Sequence, residues 1–110
     1  MKIPEDGKLL RIFIGEQDRW QGRPLYEAIV QLARKEGMAG ATAIKGFMGF
    51  GCKSRMHTAK LLRLSEDLPI VVEIVDSEEK IGQFMPHLDE MVKEGLVTLE
   101  KANVILYRAG

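Results

Sequence analysis

The chain has 110 residues, of which 16 are basic and 16 are acidic, so its formal net charge at pH 7 is zero. This length suits one domain with its own core, and we expect residues 1–110 to form a single domain. The balanced charge argues against a general nucleic-acid binder, and no apolar run approaches the length of a membrane span. A single cysteine excludes a disulfide within the chain. We therefore expect a cytoplasmic protein that is not embedded in a membrane.

The first part of the sequence predicts a strand followed by a helix. Residues 8–14, "KLLRIFI", are rich in residue types that favour strands. Pro24 suits the first turn of a helix, and Gly37 is placed to end that helix in a left-handed conformation. Between them, apolar residues recur at helical spacing. These residues are Leu25, Ala28, Ile29, Leu32 and Ala33.

The middle of the sequence predicts two strands joined by a loop, and then a third strand. Residues 41–50, "ATAIKGFMGF", form a glycine-containing strand, and residues 59–64, "AKLLRL", form the returning strand. The loop between them lies around residues 51–56. After a turn, residues 68–75, "LPIVVEIV", continue in strand character.

The last part predicts a second helix and a final strand. Asp76 or Ser77 can cap the helix, and Glu79 stands three residues after Asp76, as in a capping box. Pro86 predicts a kink or a restart inside this helix, because proline removes a hydrogen bond there. The final strand lies within residues 97–107. The apolar face of the helix comprises Ile81, Phe84, Met85, Leu88, Met91 and Val92.

The predicted order βαββαβ is that of an α+β fold, the ferredoxin-like sandwich, with two helices on one face of an antiparallel sheet and an extended middle hairpin. On the other face, the first strand places Arg11 between Leu9 and Phe13. The strand at 68–75 places Glu73 between apolar neighbours in the same way. Because two helices cover only one face, we expect a homo-oligomer to cover the second and partners for both charges.

The segment "GATAIKGFMGFGCKSRMH", residues 40–57, combines glycines with positive charge. The glycines allow positive φ and a close approach to a ligand, and the cations add hydrogen-bond donors. This combination suits phosphate, although neither a Walker spacing nor a dinucleotide fingerprint is present. Bulge and turn geometry is the alternative interpretation. The candidate residues are Lys45, Gly46, Gly49, Phe50, Gly51, Lys53 and Arg55.

The runs "GATAIKGFMGFG" and "LPIVVEIVDSEEKIGQF" resemble the PII-type nitrogen-signalling proteins, and above all a PII-like family that shares "MGFG" followed by a basic, histidine-containing segment. The resemblance implies a homotrimer of ferredoxin-like subunits that holds an adenine nucleotide, ADP, ATP or AMP, in clefts between neighbours. A loop would report the bound state to a regulated partner, such as a transporter, channel or enzyme. Gly49 and Gly51 match the loop-base glycines of the family, and Lys53 stands where a ligand-contacting polar residue follows.

The sequence also departs from the PII pattern. Where PII proteins have the glycine-rich segment "TGxxGDGKIFV", this chain reads "EGLVTLEKANVILY" and keeps only Gly95. The tyrosine that PII proteins use for covalent regulation is missing, since Tyr26 and Tyr107 lie elsewhere. We therefore expect an adenine nucleotide or a similar anionic metabolite at the subunit interfaces, while the usual effectors and covalent regulation stay open.

Three other classes of function compete with a nucleotide sensor: metal binding, catalysis and a purely structural role. Cys52 and His57 could bind copper or zinc, as in a CutA-like trimer for divalent-metal tolerance, but they form a single pair without a second cluster. Catalysis by a Cys52 thiolate would need an oriented base and an oxyanion site, which the sequence does not show. We therefore predict that the protein is not an enzyme. A structural trimer without a ligand is the third alternative.

Overall fold

The computed structural model of the chain describes residues 6–51, 57–58 and 67–109. Its main elements follow the order that the sequence predicts, with four two-residue strands added. No helix in the described part of the chain is long and apolar enough to cross a membrane. The elements are β1 (Asp6–Gly15), β2 (Arg19–Trp20), β3 (Arg23–Pro24), α1 (Leu25–Lys35), β4 (Thr42–Lys45), β5 (Met48–Gly49), β6 (His57–Thr58), β7 (Pro69–Asp76), α2 (Glu78–Met91) and β8 (Leu96–Asn103).

The main sheet has four strands in the order β4-β7-β1-β8, and every neighbouring pair is antiparallel. This arrangement, with both helices on one face, confirms the predicted ferredoxin-like sandwich. The predicted strand at 41–50 divides into β4 and β5. β5 pairs with β6 within the middle connection, which is the segment between β4 and β7, residues 46–68. The predicted returning strand at 59–64 lies outside the described residues.

The core lies between the sheet and the two helices. Alternate residues of β1 and β7 point towards the helices, which is the period of two that a half-covered strand shows. On β1 these residues are Leu10, Ile12 and Ile14, and on β7 they are Ile70, Val72 and Ile74. The helices meet them with the apolar faces that helical spacing predicted. The buried helix residues are Leu25, Ala28, Ile29, Ala33, Ile81, Phe84, Leu88 and Met91.

The helix ends follow the predictions in part. Gly37 follows α1 with a φ of 75°, the left-handed conformation that glycine adopts at low cost. The hydroxyl of Ser77 caps α2, accepting a hydrogen bond from the Lys80 amide at 3.1 Å. Because Ser77 is the cap, the capping box of Asp76 with Glu79 is wrong. α2 also runs unbroken through Pro86, so the helix does not restart there.

Asp76 has a different role from the predicted one. Its carboxylate is buried and accepts hydrogen bonds from the amides of Ala39 at 2.8 Å and Ser77 at 2.7 Å. A buried carboxylate needs such donors, because its desolvation is otherwise costly. Asp76 therefore joins the end of β7 to the connection between α1 and β4.

The sheet face away from the helices is open. Register places Arg11 beside Glu73 on β7 and beside Thr98 on β8, on the same face as Leu9 and Phe13. The Arg11 Nε donates to Glu73 Oε2 at 2.9 Å, and Nη1 lies 3.4 Å from an oxygen of Glu100. The two charges thus have partners within the chain. The apolar residues around them remain partly exposed.

Candidate ligand-binding site

A cavity of about 150 Å³ lies at the end of the sheet where β1 enters its turn. Three separate parts of the chain meet there: the end of β1 and the following turn, the two ends of the middle connection, and the segment before β8. The lining residues are Phe13, Ile14, Gly15, Asp18, Gly49, Phe50, Gly51, Asp67, Pro69, Glu94 and Gly95.

Three of the predicted site residues line this cavity: Gly49, Phe50 and Gly51. Phe50 is exposed over 66% of its surface, so its ring is available to a ligand or to a second chain. Among the described residues, a Cβ on Gly51 would have no neighbour within 4 Å, so a side chain there would meet none of the described wall. The "GFG" run therefore forms one wall of the cavity.

The predicted glycines differ in their conformational role from what the sequence suggested. In the described part of the chain, the glycines with positive φ are Gly22, Gly37 and Gly95, and the loop-base glycines are not among them. Gly46 and Gly49 instead pack on the Pro69 ring. A Cβ would lie 2.9 Å from Pro69 Cγ at Gly46 and 3.1 Å from it at Gly49. Because these two glycines lack a Cβ, the backbone can approach the proline ring closely; they are not needed for a left-handed turn.

The structure separates Lys45 from the cavity. Lys45 is in register with Ile70, whose side chain is buried, and directly paired residues lie on the same face of a sheet. Its Nζ lies 2.9 Å from an oxygen of Glu16. Gly46 follows Lys45 in the chain, and its amide donates to the carbonyl of Pro69, a residue of the cavity wall, at 2.8 Å. Lys45 therefore joins β4 to the turn after β1.

The remaining predicted residues are not tested by the structure. Lys53 and Arg55 lie outside the described residues, as does Cys52 of the alternative metal pair. His57 lies in β6. Within the described residues, no group of three or more His, Cys, Asp or Glu side chains is arranged to hold a metal ion.

Gly95 is required by the geometry of the cavity wall. Its φ is 153°, and a Cβ there would lie 2.7 Å from the carbonyl oxygen of Phe13. Contacts this short essentially never occur for a real Cβ, so a larger residue would displace β1 or β8. This is the glycine that the chain keeps from the PII pattern. It lines the same cavity as the "GFG" run.

Two aspartates that the sequence analysis missed as site residues also line the cavity. Asp18 Oδ2 accepts a hydrogen bond from the Gly15 amide at 2.9 Å, and Asp67 Oδ1 accepts one from the Gln17 amide at 2.9 Å. Gly15 is close to the second carboxylate, because a Cβ there would lie 2.5 Å from Asp67 Oδ1. In the sequence, the segments that contain Asp18 and Asp67 show only the residue types of turns. This pattern does not indicate that the two aspartates lie close together.

The described part of the cavity wall is acidic and apolar. It carries the carboxylates of Asp18, Asp67 and Glu94, while neither a lysine nor an arginine is found among its described lining residues. Carboxylates accept hydrogen bonds from amino and hydroxyl groups and repel phosphate. This wall is therefore suited to a hydrogen-bond donor with an apolar body.

The DUF190 family model, described as "Uncharacterized ACR, COG1993", matches residues 7–104. The chain belongs to the DUF190 family. Relatives of this DUF190 protein include a UPF0166 protein of Aquifex aeolicus (strain VF5), 40% identical over 98 residues, or 89% of this chain and 92% of the relative. A UPF0166 protein of Methanocaldococcus jannaschii is 36% identical over 98 residues, or 88% of this chain and 90% of the relative.

The fold of the DUF190 protein is similar to that of CPII, a nitrogen regulatory PII-like protein from Thiomonas intermedia K12. The structure of CPII bound to ADP, AMP and bicarbonate has a TM-score of 0.62 and 21% identity, covering 90% of this chain and 88% of CPII. A second CPII structure, bound to ADP and bicarbonate, has a TM-score of 0.60 at the same identity and coverage. The predicted PII-like fold is confirmed.

Proposed function

We propose that this protein is a cytoplasmic PII-like sensor that binds an adenine nucleotide between the subunits of a homotrimer and regulates a partner protein. The observation that carries the proposal is the cavity that joins the "GFG" wall, at the base of the middle connection, to Gly95. The protein acts by binding rather than by catalysis. The nucleotides bound to CPII, which shares this fold, support the choice of ligand.

The chemistry of the described wall favours one orientation of the nucleotide. Asp18 and Asp67 accept hydrogen bonds, so they suit the amino group of adenine or the hydroxyls of ribose. The Phe50 ring offers a face on which a base stacks. The phosphates then point away from the carboxylates. In this orientation the adenosine part of the nucleotide lies inside the cavity and the phosphates lie outside it. Lys53 and Arg55, which lie outside the described residues, stay predicted phosphate contacts.

The size of the cavity supports a site shared between subunits. Small-molecule pockets measure about 300–1,000 Å³. At about 150 Å³, the cavity of one chain encloses only a portion of such a ligand. A second subunit on the open sheet face would cover both the exposed apolar residues and the rest of the nucleotide.

Regulation of the partner follows from a change at the base of the middle connection. A ligand shifts a conformational equilibrium only when its affinity for the two states differs. Gly49, Phe50 and Gly51 belong both to the cavity wall and to the connection that leaves it, so an occupied cavity and an empty one present different surfaces. The partner would distinguish these two surfaces.

Isothermal titration calorimetry on metal-free protein tests the proposal, with ATP, ADP, AMP, adenosine, a cyclic nucleotide, inorganic phosphate and bicarbonate, each with and without magnesium. We expect saturable binding near one nucleotide per chain, measurable binding of adenosine and none of inorganic phosphate. Absence of binding by every nucleotide would contradict the proposal. Stoichiometric binding of copper or zinc in that case would favour the CutA-like alternative.

Two variants make this test specific. Gly51→Val should abolish nucleotide binding and leave the fold intact, because a side chain there would project from the cavity wall without meeting any described residue. Gly49→Val also moves Pro69 and is the less selective variant. The control is Cys52→Ser with His57→Ala, which should bind nucleotide like the unmodified protein. Loss of binding in the control alone would contradict the nucleotide site and favour the metal alternative.

A further inference from the structure

The turn that follows β1 is attached to both ends of the middle connection. At the entering end, the Lys45 Nζ pairs with Glu16 Oε2 at 2.9 Å. At the leaving end, the Glu16 amide donates to the Leu68 carbonyl at 2.8 Å, and the Gln17 amide donates to Asp67 Oδ1 at 2.9 Å. One short turn therefore links two segments that lie more than twenty residues apart in the chain.

The same turn also contributes to the cavity wall. Gly15 and Asp18 line the cavity, as does Asp67, whereas Glu16 and Lys45 do not. Asp18 holds the turn by accepting a hydrogen bond from the Gly15 amide, and the Asp18 amide donates back to the Gly15 carbonyl at 3.2 Å. A ligand that engages Asp18 or Asp67 therefore acts on groups that hold the turn in place.

We propose that the turn at residues 15–18 couples the occupied cavity to the Lys45–Glu16 ion pair, and that this pair, although outside the cavity, sets the affinity for the ligand. The inference rests on the proposed nucleotide site. The bound ligand stabilises the arrangement of the turn in which the pair is formed. The coupling is reciprocal: if the ligand stabilises the ion pair by a given factor, breaking the pair weakens ligand binding by that factor.

Matched charge variants separate this coupling from a general electrostatic effect. Glu16→Gln removes a negative charge, so simple electrostatics would strengthen binding of an anionic nucleotide. Lys45→Gln removes a positive charge and would weaken it. Coupling predicts that both variants weaken binding, by about 2- to 5-fold, the range expected from a partly exposed ion pair. The effect of Glu16→Gln therefore has opposite signs in the two explanations.

The experiment measures the Kd for AMP and ATP by calorimetry in the full chain. We expect both single variants to weaken binding, the double variant to weaken it no further, and the charge swap Glu16→Lys with Lys45→Glu to recover it. The matched controls are Glu27→Gln and Lys35→Gln, both on exposed positions of α1, which should leave the Kd unchanged. The loss should diminish at high salt, because exposed pairs are screened.

Hydrogen exchange provides a second readout. In the unmodified protein, nucleotide should slow the exchange of the Glu16, Gln17 and Gly46 amides, and Glu16→Gln should reduce that protection. If the unmodified protein binds nucleotide while Glu16→Gln binds it equally or more tightly, the coupling is wrong and the nucleotide site stands. If the unmodified protein binds none of the nucleotides, both proposals are wrong.

Discussion

Both faces of the main sheet carry apolar residues, but the surroundings of these residues differ. On β1, Leu10 and Ile12 face the helices and are 0% exposed, whereas Phe13 on the opposite face is 36% exposed. All three belong to one strand with one alternating pattern. The comparison shows that an apolar side chain in a strand is buried only where a second layer covers it. The open face supplies a surface that the chain by itself does not cover.

The two faces also differ in how they hold charge. Beneath the helices, the buried carboxylate of Asp76 is satisfied by backbone amides. On the open face, Arg11 is satisfied by side chains. Its pKa is raised chiefly by the hydrogen bond to Glu73; burial opposes this rise, and the negative charges of Glu100 and Glu73 add to it. Arg11 therefore stays charged between two carboxylates in the middle of an apolar surface.

The largest expected effect tests the covered face. Phe84→Ala, in α2, should lower the free energy of unfolding by about 3–5 kcal/mol, because it leaves a cavity in a fully packed core. Phe13→Ala, on the open face, should cost roughly 1 kcal/mol within one subunit and weaken self-association instead. Urea unfolding measures the first effect and sedimentation equilibrium the second. An equal loss of unfolding free energy for Phe13→Ala, with unchanged self-association, would contradict this comparison.

A smaller effect is expected at Gly95, which directly precedes β8. Gly95→Ala should destabilise the protein by about 1–3 kcal/mol, because its Cβ would meet the Phe13 carbonyl at a backbone conformation that L residues rarely adopt. Gly82→Ala is the control, since a Cβ at this exposed position in α2 has no neighbour within 4 Å in the described part of the chain. It should stabilise the protein by about 0.5–1 kcal/mol. Thermal unfolding measures both, and changes of the same sign would contradict the geometric argument.

The third prediction concerns association alone. Arg11→Met leaves Glu73 and Glu100 on the open face without their shared cation, so an interface formed by this face would bury unpaired carboxylates. We expect self-association to weaken by about tenfold or more, measured by sedimentation equilibrium. Arg34→Met, in the last turn of α1, is the control and should associate normally. Unchanged association of Arg11→Met would place the subunit interface elsewhere.

Sequence reasoning identified one wall of the cavity and missed the other. Gly49, Phe50 and Gly51 were found because they form a continuous run that resembles a known loop base. Asp18 and Asp67 lie far apart in the chain and in unremarkable turns, so their proximity follows only from the register of β1 with β7. Lys45 was grouped with the glycines by its position in the chain. Strand alternation instead places it on the sheet face that carries Ile70, where it pairs with Glu16 and does not line the cavity.

The sequence by itself determined the order of the elements, the apolar faces of both helices and the PII-like family, because these depend on local periodicity and on contiguous motifs. Only the tertiary structure decided that Arg11 is paired with Glu73 and Glu100, that Gly46 and Gly49 approach Pro69, and that carboxylates complete the cavity. These contacts join residues that are distant in the chain. Their formation depends on strand register and on the path of the turns, which local pattern does not encode.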